Sequence, residues 1–156
     1  MKLCILAVGH KPPAWAAAGC AEYIGRMPRE LPLSVVEIKP EPRGAKRRDQ
    51  LLAAEKTRLQ TALHGFRRVV ALDERGADLT TLQLARRLEN WMREGGDTAF
   101  IIGGADGIDD AIKARADAML RLSSLTLPHA MARLVLCEQL YRANSVIRNH
   151  PYHREG

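Results

Sequence analysis

Residues 102–107, IGGADG, place two adjacent glycines ahead of an acidic turn. Such a pair permits positive φ and lets a ligand approach the backbone closely, and a helix starting just beyond it would offer free N–H groups. A tight strand-to-helix connection with no ligand is the alternative reading of the same residues. The spacing matches neither G-x-G-x-x-G nor G-x-x-x-x-G-K-[ST], so neither a classical dinucleotide fold nor a phosphate-binding P-loop is supported. Residues 123–129, SSLTLPH, mix hydroxyl and apolar side chains and carry a proline suited to the first turn of a helix. Backbone polar groups beside Leu122, Leu125 and Leu127 suit a flat apolar base such as adenine; a helix cap by Ser124 or Thr126 is the plainer reading. Residues 72–76, LDERG, form a third candidate loop.

Two further segments bear on nucleic acid. The tail 149–155, NHPYHRE, supplies histidine, tyrosine and arginine, which give unpaired RNA flat surfaces for stacking and donors for phosphates or base edges. A frayed terminus is the alternative. Residues 39–48, KPEPRGAKRR, hold five positive residues and one acid, the composition of a phosphate-gripping loop or of a solvated one. His129, His150 and His153 are the only histidines with a claim on zinc, and without cysteine pairs or H-E-x-x-H no metal is expected. Cys137 beside Glu138 reads as a helix-core thiol rather than a nucleophile.

Elements of alternating period must position these segments. Strands are expected over 2–9, 33–39, 67–72, 98–102 and 119–122, and helices over 12–27, 46–63, from a cap at Thr80 or Thr81 to about 94, 108–117 and 129–148. In the last helix Ala132, Val135, Leu136, Leu140, Ala143 and Ile147 form one apolar stripe, suited to a core or a partner chain. Strands alternating with helices imply a mostly parallel α/β sheet flanked by helices, which binds ligands beyond the carboxyl ends of its strands. The loops at 72–76, 103–107 and 123–129 all fall on that edge, where they could line one pocket.

A chain of 156 residues, 46% hydrophobic, is long enough to bury the core of one compact domain. Its three cysteines, Cys4, Cys20 and Cys137, are too far apart in sequence for a C-x-x-C motif and odd in number, which fits a reducing compartment. With no secretory pattern at the start and no apolar run long enough to span a bilayer, a soluble cytoplasmic protein without membrane attachment is expected. The net charge of +6 is unevenly placed: residues 1–48 carry +5, residues 49–120 carry −2 and residues 121–156 carry +3. A basic face assembled from the two ends is one consequence; mild basicity without a specific partner is the other.

In order and spacing, KLCILAVG at the start, VVALDERG, IIGGADG, LSSLTLPHAMARLVLCEQLYRA and the terminal NHPYHRE resemble the RlmH (YbeA-like) family of SPOUT methyltransferases over essentially the full length. The resemblance implies a single SPOUT domain over 1–156 with a C-terminal trefoil knot, the knot and cofactor site lying within about 70–156. It implies a homodimer, S-adenosylmethionine as methyl donor, and N3-methylation of a pseudouridine in 23S ribosomal RNA on the assembled ribosome. Carried over by position, the donor-binding residues are Leu72, Gly103, Gly104, Leu122, Ser123, Ser124, Leu125, Thr126 and Leu127. Arg142, Tyr152 and His153 are the catalytic candidates on the pseudouridine side, with the tail supplied by the partner subunit, and His129 is a further one. Two other readings fit the basic ends: a ribosome-associated RNA-binding protein of the same fold without catalysis, and a SPOUT methyltransferase acting on another RNA position.

Overall fold

In the computed structural model, which describes residues 1–154, β1 (Leu3–Val8), β2 (Leu33–Ile38), β3 (Arg68–Asp78), β4 (Thr98–Ile102) and β5 (Ala118–Arg121) form one sheet in the order β2-β1-β4-β3-β5. Every neighbouring pair is parallel. Parallel strands need crossovers. These are supplied by α1 (Ala14–Arg26), α2 (Arg48–Ala62), α3 (Thr81–Glu94) and α4 (Asp110–Arg115), while α5 (His129–Ile147) and a short 3₁₀ turn (Pro151–Arg154) close the described chain.

The sequence of β1, LCILAV, is buried at all six positions because both faces of the sheet are covered. Leu3, Ile5 and Ala7 join a core with Cys20 of α1, Leu84 and Leu88 of α3 and Leu136 and Leu140 of α5. Cys4, Leu6 and Val8 join the opposite core with Leu59 of α2 and Ile112 of α4. The helix that follows β4 therefore lies on the opposite face from the helices that follow β1 and β3. Where outgoing connections of adjacent strands diverge in this way, a crevice opens at the carboxyl edge. One such crevice lies on each side of β4.

The alternation expected from sequence is present, with three differences. The third strand does not end at 72 but runs to Asp78: residues 73–76 bulge out, and Leu72 and Ala77 both face Leu120. Gly76 permits this, since a Cβ there would lie 2.5 Å from the Leu120 carbonyl carbon. Bidentate pairing of Arg121 with Asp78 then ties the extended end to β5. The helix expected over 108–117 is only six residues long and is capped by Asp109, whose carboxylate accepts the Ala111 N–H at 2.9 Å. The buried face of α5 is also wider than the expected stripe. Arg133, Asn144 and Ser145 are buried, whereas Ala132, Val135 and Ile147 are half-buried, because α5 packs against both α1 and α3.

Helix α3 begins in a capping box: Thr80 Oγ1 accepts the Gln83 N–H at 3.1 Å, and Gln83 Oε1 accepts the Thr80 N–H at 2.8 Å. Thr80→Ala should lower stability by about 1 kcal/mol, read as a reduced denaturant midpoint with unchanged slope.

Candidate functional site

In the crevice between β3 and β4 lies a cavity of about 700 Å³, within the size range of small-molecule sites. All nine residues carried over as donor-binding line it: Leu72 from β3, Gly103 and Gly104 after β4, and Leu122 to Leu127 after β5. Ile102 and Leu120 extend its apolar wall. The loop after β5 is shaped in part by Ser123, whose Oγ accepts the Leu125 N–H at 2.9 Å and leaves the Leu125 side chain 74% exposed. On the opposite wall, Lys113 pairs with Asp73 at 2.7 Å. Burial pushes the Asp73 carboxyl up, but the bonds from Lys113 and the Arg75 N–H outweigh it and hold the group below the usual carboxylate range.

The glycine loop is a tight connection that also lines the cavity. A Cβ on Gly103 would lie 2.6 Å from both the carbonyl carbon and oxygen of Gly107, so its missing side chain lets the loop fold against itself. The Gly107 N–H closes that fold on the Gly104 carbonyl at 3.0 Å, with Gly107 at φ +83°. The start of α4 is occupied by the Asp109 cap and is not the open donor set expected from the sequence.

A second cavity, about 710 Å³, occupies the other crevice, between β1 and β4. It shares Gly103 to Asp106 and Leu127 with the first, and adds Val8, Gly9 and His10, residues 39–43, Glu55 and His129. His129 thus belongs to this cavity and not to the first. Its Nε2 is buried without a partner among the described residues. Burial is the main cause holding the imidazole below its ordinary pKa and Arg133 adds to it, while a hydrogen bond with the Val8 backbone opposes both. Glu55 is only 8% exposed; one of its oxygens accepts the Glu41 N–H at 3.0 Å. The sequence reading passed over Glu55 because nothing in a charged helix distinguishes it until α2 turns it under the sheet edge. Several charges of the 39–48 segment are engaged within the fold: Arg43 binds Asp106 at 2.7 Å, Arg48 binds the Asp106 carbonyl at 2.8 Å, and Lys46 pairs with Glu41.

The tail residues form a cluster of their own. Glu138 Oε1 accepts both Arg142 Nε at 2.7 Å and the Tyr152 hydroxyl at 3.1 Å, and the Arg142 guanidinium lies 4.8 Å from the centre of the Tyr152 ring. Tyr23 and Tyr141 pack against that ring, and burial, followed by the Tyr23 and Glu138 contacts, raises the Tyr152 pKa. His153 follows on the same 3₁₀ turn with Nδ1 buried and unpartnered. Arg142, Tyr152 and His153 line neither cavity. Ten residues of α5 separate Arg142 from Ala132 at the cavity wall, roughly 15 Å of helix. His129 opens α5 and His150 and His153 follow its end, so the three histidines do not converge. Cys137 is fully buried against Cys20 and its thiol is pushed up, as suits a core residue.

A family model described as "Predicted SPOUT methyltransferase" matches residues 1–153. The chain belongs to the SPOUT methyltransferase family. Within it, the chain is 67% identical over 156 residues to a protein of Dechloromonas aromatica (strain RCB) named ribosomal RNA large subunit methyltransferase H, covering 100% of both chains. A protein of the same name from Burkholderia ambifaria is 58% identical over 155 residues, 99% of each chain. The fold is also that of a probable methylase family protein from Haemophilus influenzae Rd KW20, with a TM-score of 0.59, 15% identity, and 96% of this chain and 68% of that one covered. A putative methylase family protein from Neisseria gonorrhoeae matches with a TM-score of 0.56 at 16% identity, over 89% of this chain and 81% of that one. In this SPOUT methyltransferase the carboxyl-edge loops line both cavities.

The self-contact of the glycine loop gives a direct test. Gly103→Ala forces backbone apart and should cost about 1–3 kcal/mol. Gly25→Ala, in α1 with nothing within 4 Å of the new methyl, should stabilise by about 0.5–1 kcal/mol. Thermal melts of the two variants check the contrast.

Proposed function

We propose that this chain methylates large-subunit ribosomal RNA, taking the methyl group from S-adenosylmethionine and placing it on N3 of a pseudouridine. The observation that carries this reading is the convergence of the nine donor-side residues on one cavity at the carboxyl edge of the sheet. Full-length relatives named as large-subunit ribosomal RNA methyltransferases support the class of acceptor. The whole chain acts as one domain, with the donor site and a trefoil knot within about 70–156.

The cavity suits the donor by shape and chemistry. Leu72, Ile102, Leu120, Leu122 and Leu127 give a flat base apolar walls, and the backbone of residues 122–127 offers N–H and C=O groups to its polar edge. When bound, S-adenosylmethionine supplies a methyl carbon activated by a positively charged sulfur that leaves as a neutral thioether. The protein's work is therefore to bind, to align the acceptor nitrogen and to manage its proton.

Arg142, Tyr152 and His153 serve the RNA. Within one chain their distance from the donor cavity keeps them from completing it, so the tail of a second copy does so in a two-fold homodimer. The shared Glu138 oxygen fixes Arg142 and Tyr152 as a unit that presents a cation and an aromatic face to the nucleotide. The tail, together with the basic first 48 residues, gives the dimer a positive face for the ribosome, and the setting is cytoplasmic.

Incubation with labelled S-adenosylmethionine and ribosomes lacking the modification should transfer one methyl group per large subunit, recovered as N3-methylpseudouridine on nucleoside mass spectrometry. Donor binding without transfer would leave an RNA-binding protein, and a different methylated nucleoside would move the target. Mixing a chain carrying Thr126→Trp, which fills the donor cavity, with one carrying Tyr152→Ala should restore on the order of a quarter of the wild-type rate by random pairing of dimers. Two inactive variants that stay inactive when mixed would place the tail in its own chain's site.

A further inference from the structure

The cavity between β1 and β4 is not used by the donor reading, yet it holds a polar group that calls for a ligand. Its walls are chiefly apolar, from Val8, Pro40, Pro42 and Leu127, and the carboxylate of Glu55 interrupts them. Helix α2 turns Glu55 under the sheet edge, where it is only 8% exposed and Oε2 accepts the Glu41 N–H at 3.0 Å. The other oxygen, Oε1, lies on the side of the glycine loop, 3.6 Å from where a Cβ on Gly104 would be. No group among the described residues donates to it, and unlike His129 Nε2 it is not sealed within the wall but opens into the cavity. A carboxylate oxygen left bare among apolar groups is costly, and a donor brought in by a ligand would satisfy it. At the mouth, His10 and Lys39 are exposed.

The two crevices lie on either side of β4, so their mid-lines are one strand spacing apart, about 4.8 Å. Successive bases of a stacked strand are about 3.4 Å apart and splayed ones further, so adjacent nucleotides can straddle the loop at Gly103 and Gly104, where no side chain stands in the path. An apolar slot with one acceptor suits a flat base that offers an exocyclic amino group, as cytosine does at N4 and adenine at N6. Uracil turns a carbonyl oxygen to the same place, against the carboxylate. We propose that this cavity takes the base next to the target, the target itself lying on the donor side, and that Glu55 Oε1 accepts the amino N–H of that neighbour and so selects adenine or cytosine over uracil there. The inference rests on the methyltransferase reading above and gives it a second point of sequence recognition. Holding the neighbour fixes the strand while the target base faces the donor, and His10 and Lys39 meet the phosphate at the mouth.

Glu55→Gln tests selection with minimal change of shape. Its single amide oxygen is held by the Glu41 N–H, so the NH₂ group turns a donor into the cavity, which opposes an amino group and suits the uracil carbonyl. Single-turnover methyl transfer is measured on ribosomes in which the nucleotide on each side of the target is made, in turn, adenosine, cytidine or uridine. At one of the two sides the wild type should transfer at least about tenfold faster with adenine or cytosine than with uracil. Glu55→Gln should reverse that order, losing about tenfold with the amino-bearing base and coming within about threefold of the wild-type optimum with uracil, with S-adenosylmethionine affinity by calorimetry unchanged. Pro42→Trp, on the exposed rim, fills this cavity without entering the donor cavity and should erase the preference even where Glu55→Gln fails to fold. Wild-type transfer indifferent to both neighbours, a Glu55→Gln chain that keeps the wild-type order or is slowed alike on all bases, or a preference that survives Pro42→Trp would overturn the inference while leaving the methyltransferase reading intact. No transfer by the wild type to any ribosome would remove that reading and the inference with it.

Discussion

Helix α4 covers the opposite face of the sheet from α1 and α3, so the connection leaving β4 diverges from those of both neighbours, β1 and β3. That divergence opens two crevices at one edge, and each holds a cavity of about 700 Å³. A single loop, residues 103–106, walls both. Its thinness depends on a close contact, Gly103 against the backbone of Gly107, that no side chain at 103 would permit. The bulge in β3 adds a second close approach, Gly76 against Leu120, which aligns the loop after β5 with the donor side.

Polar groups are placed sparingly around this edge. Most charges near the cavities are engaged within the fold: Asp73 by Lys113, Asp106 by Arg43 and Arg48, Glu41 by Lys46 and Arg58. Against that background His129 Nε2 stands out as buried without a partner among the described residues, since buried polar groups are ordinarily satisfied. Arg133 is a second case: its guanidinium is fully buried, with one bond to Glu37 at 3.2 Å, and Nε and Nη2 have no partner among the described residues. Burial first, and then the positive charge of Arg133 one turn further along α5, hold the His129 imidazole below its ordinary pKa.

Much of this was legible in the sequence, and the rest failed for identifiable reasons. Continuous apolar runs such as LCILAV and TAFII read as buried parallel strands, and the Thr80 and Gly95 signals bounded α3 closely. The clustering of the loops at 72–76, 103–107 and 123–129 was legible because each follows a strand of a parallel sheet, and all such loops share one edge. The continuation of β3 to Asp78 was not, because LDERG has the composition of a turn and only pairing with Leu120 makes it strand. The self-contact of Gly103 could not be told from the sequence, since a glycine that admits a ligand and one that admits its own backbone look identical there. Glu55 and the second cavity required the fold, which alone brings residues 8–10, 39–43, 55 and 129 together.

The most direct measurement is a structure of the protein bound to S-adenosylhomocysteine and an RNA hairpin that carries the target pseudouridine. The expected result places the thioether sulfur on the side of Leu72 and Leu122–Leu127, with N3 of the pseudouridine directed at it and the Arg142–Tyr152 unit of a second copy against the base. A donor held outside this cavity, or a base contacted only by the tail of the same chain, would contradict it.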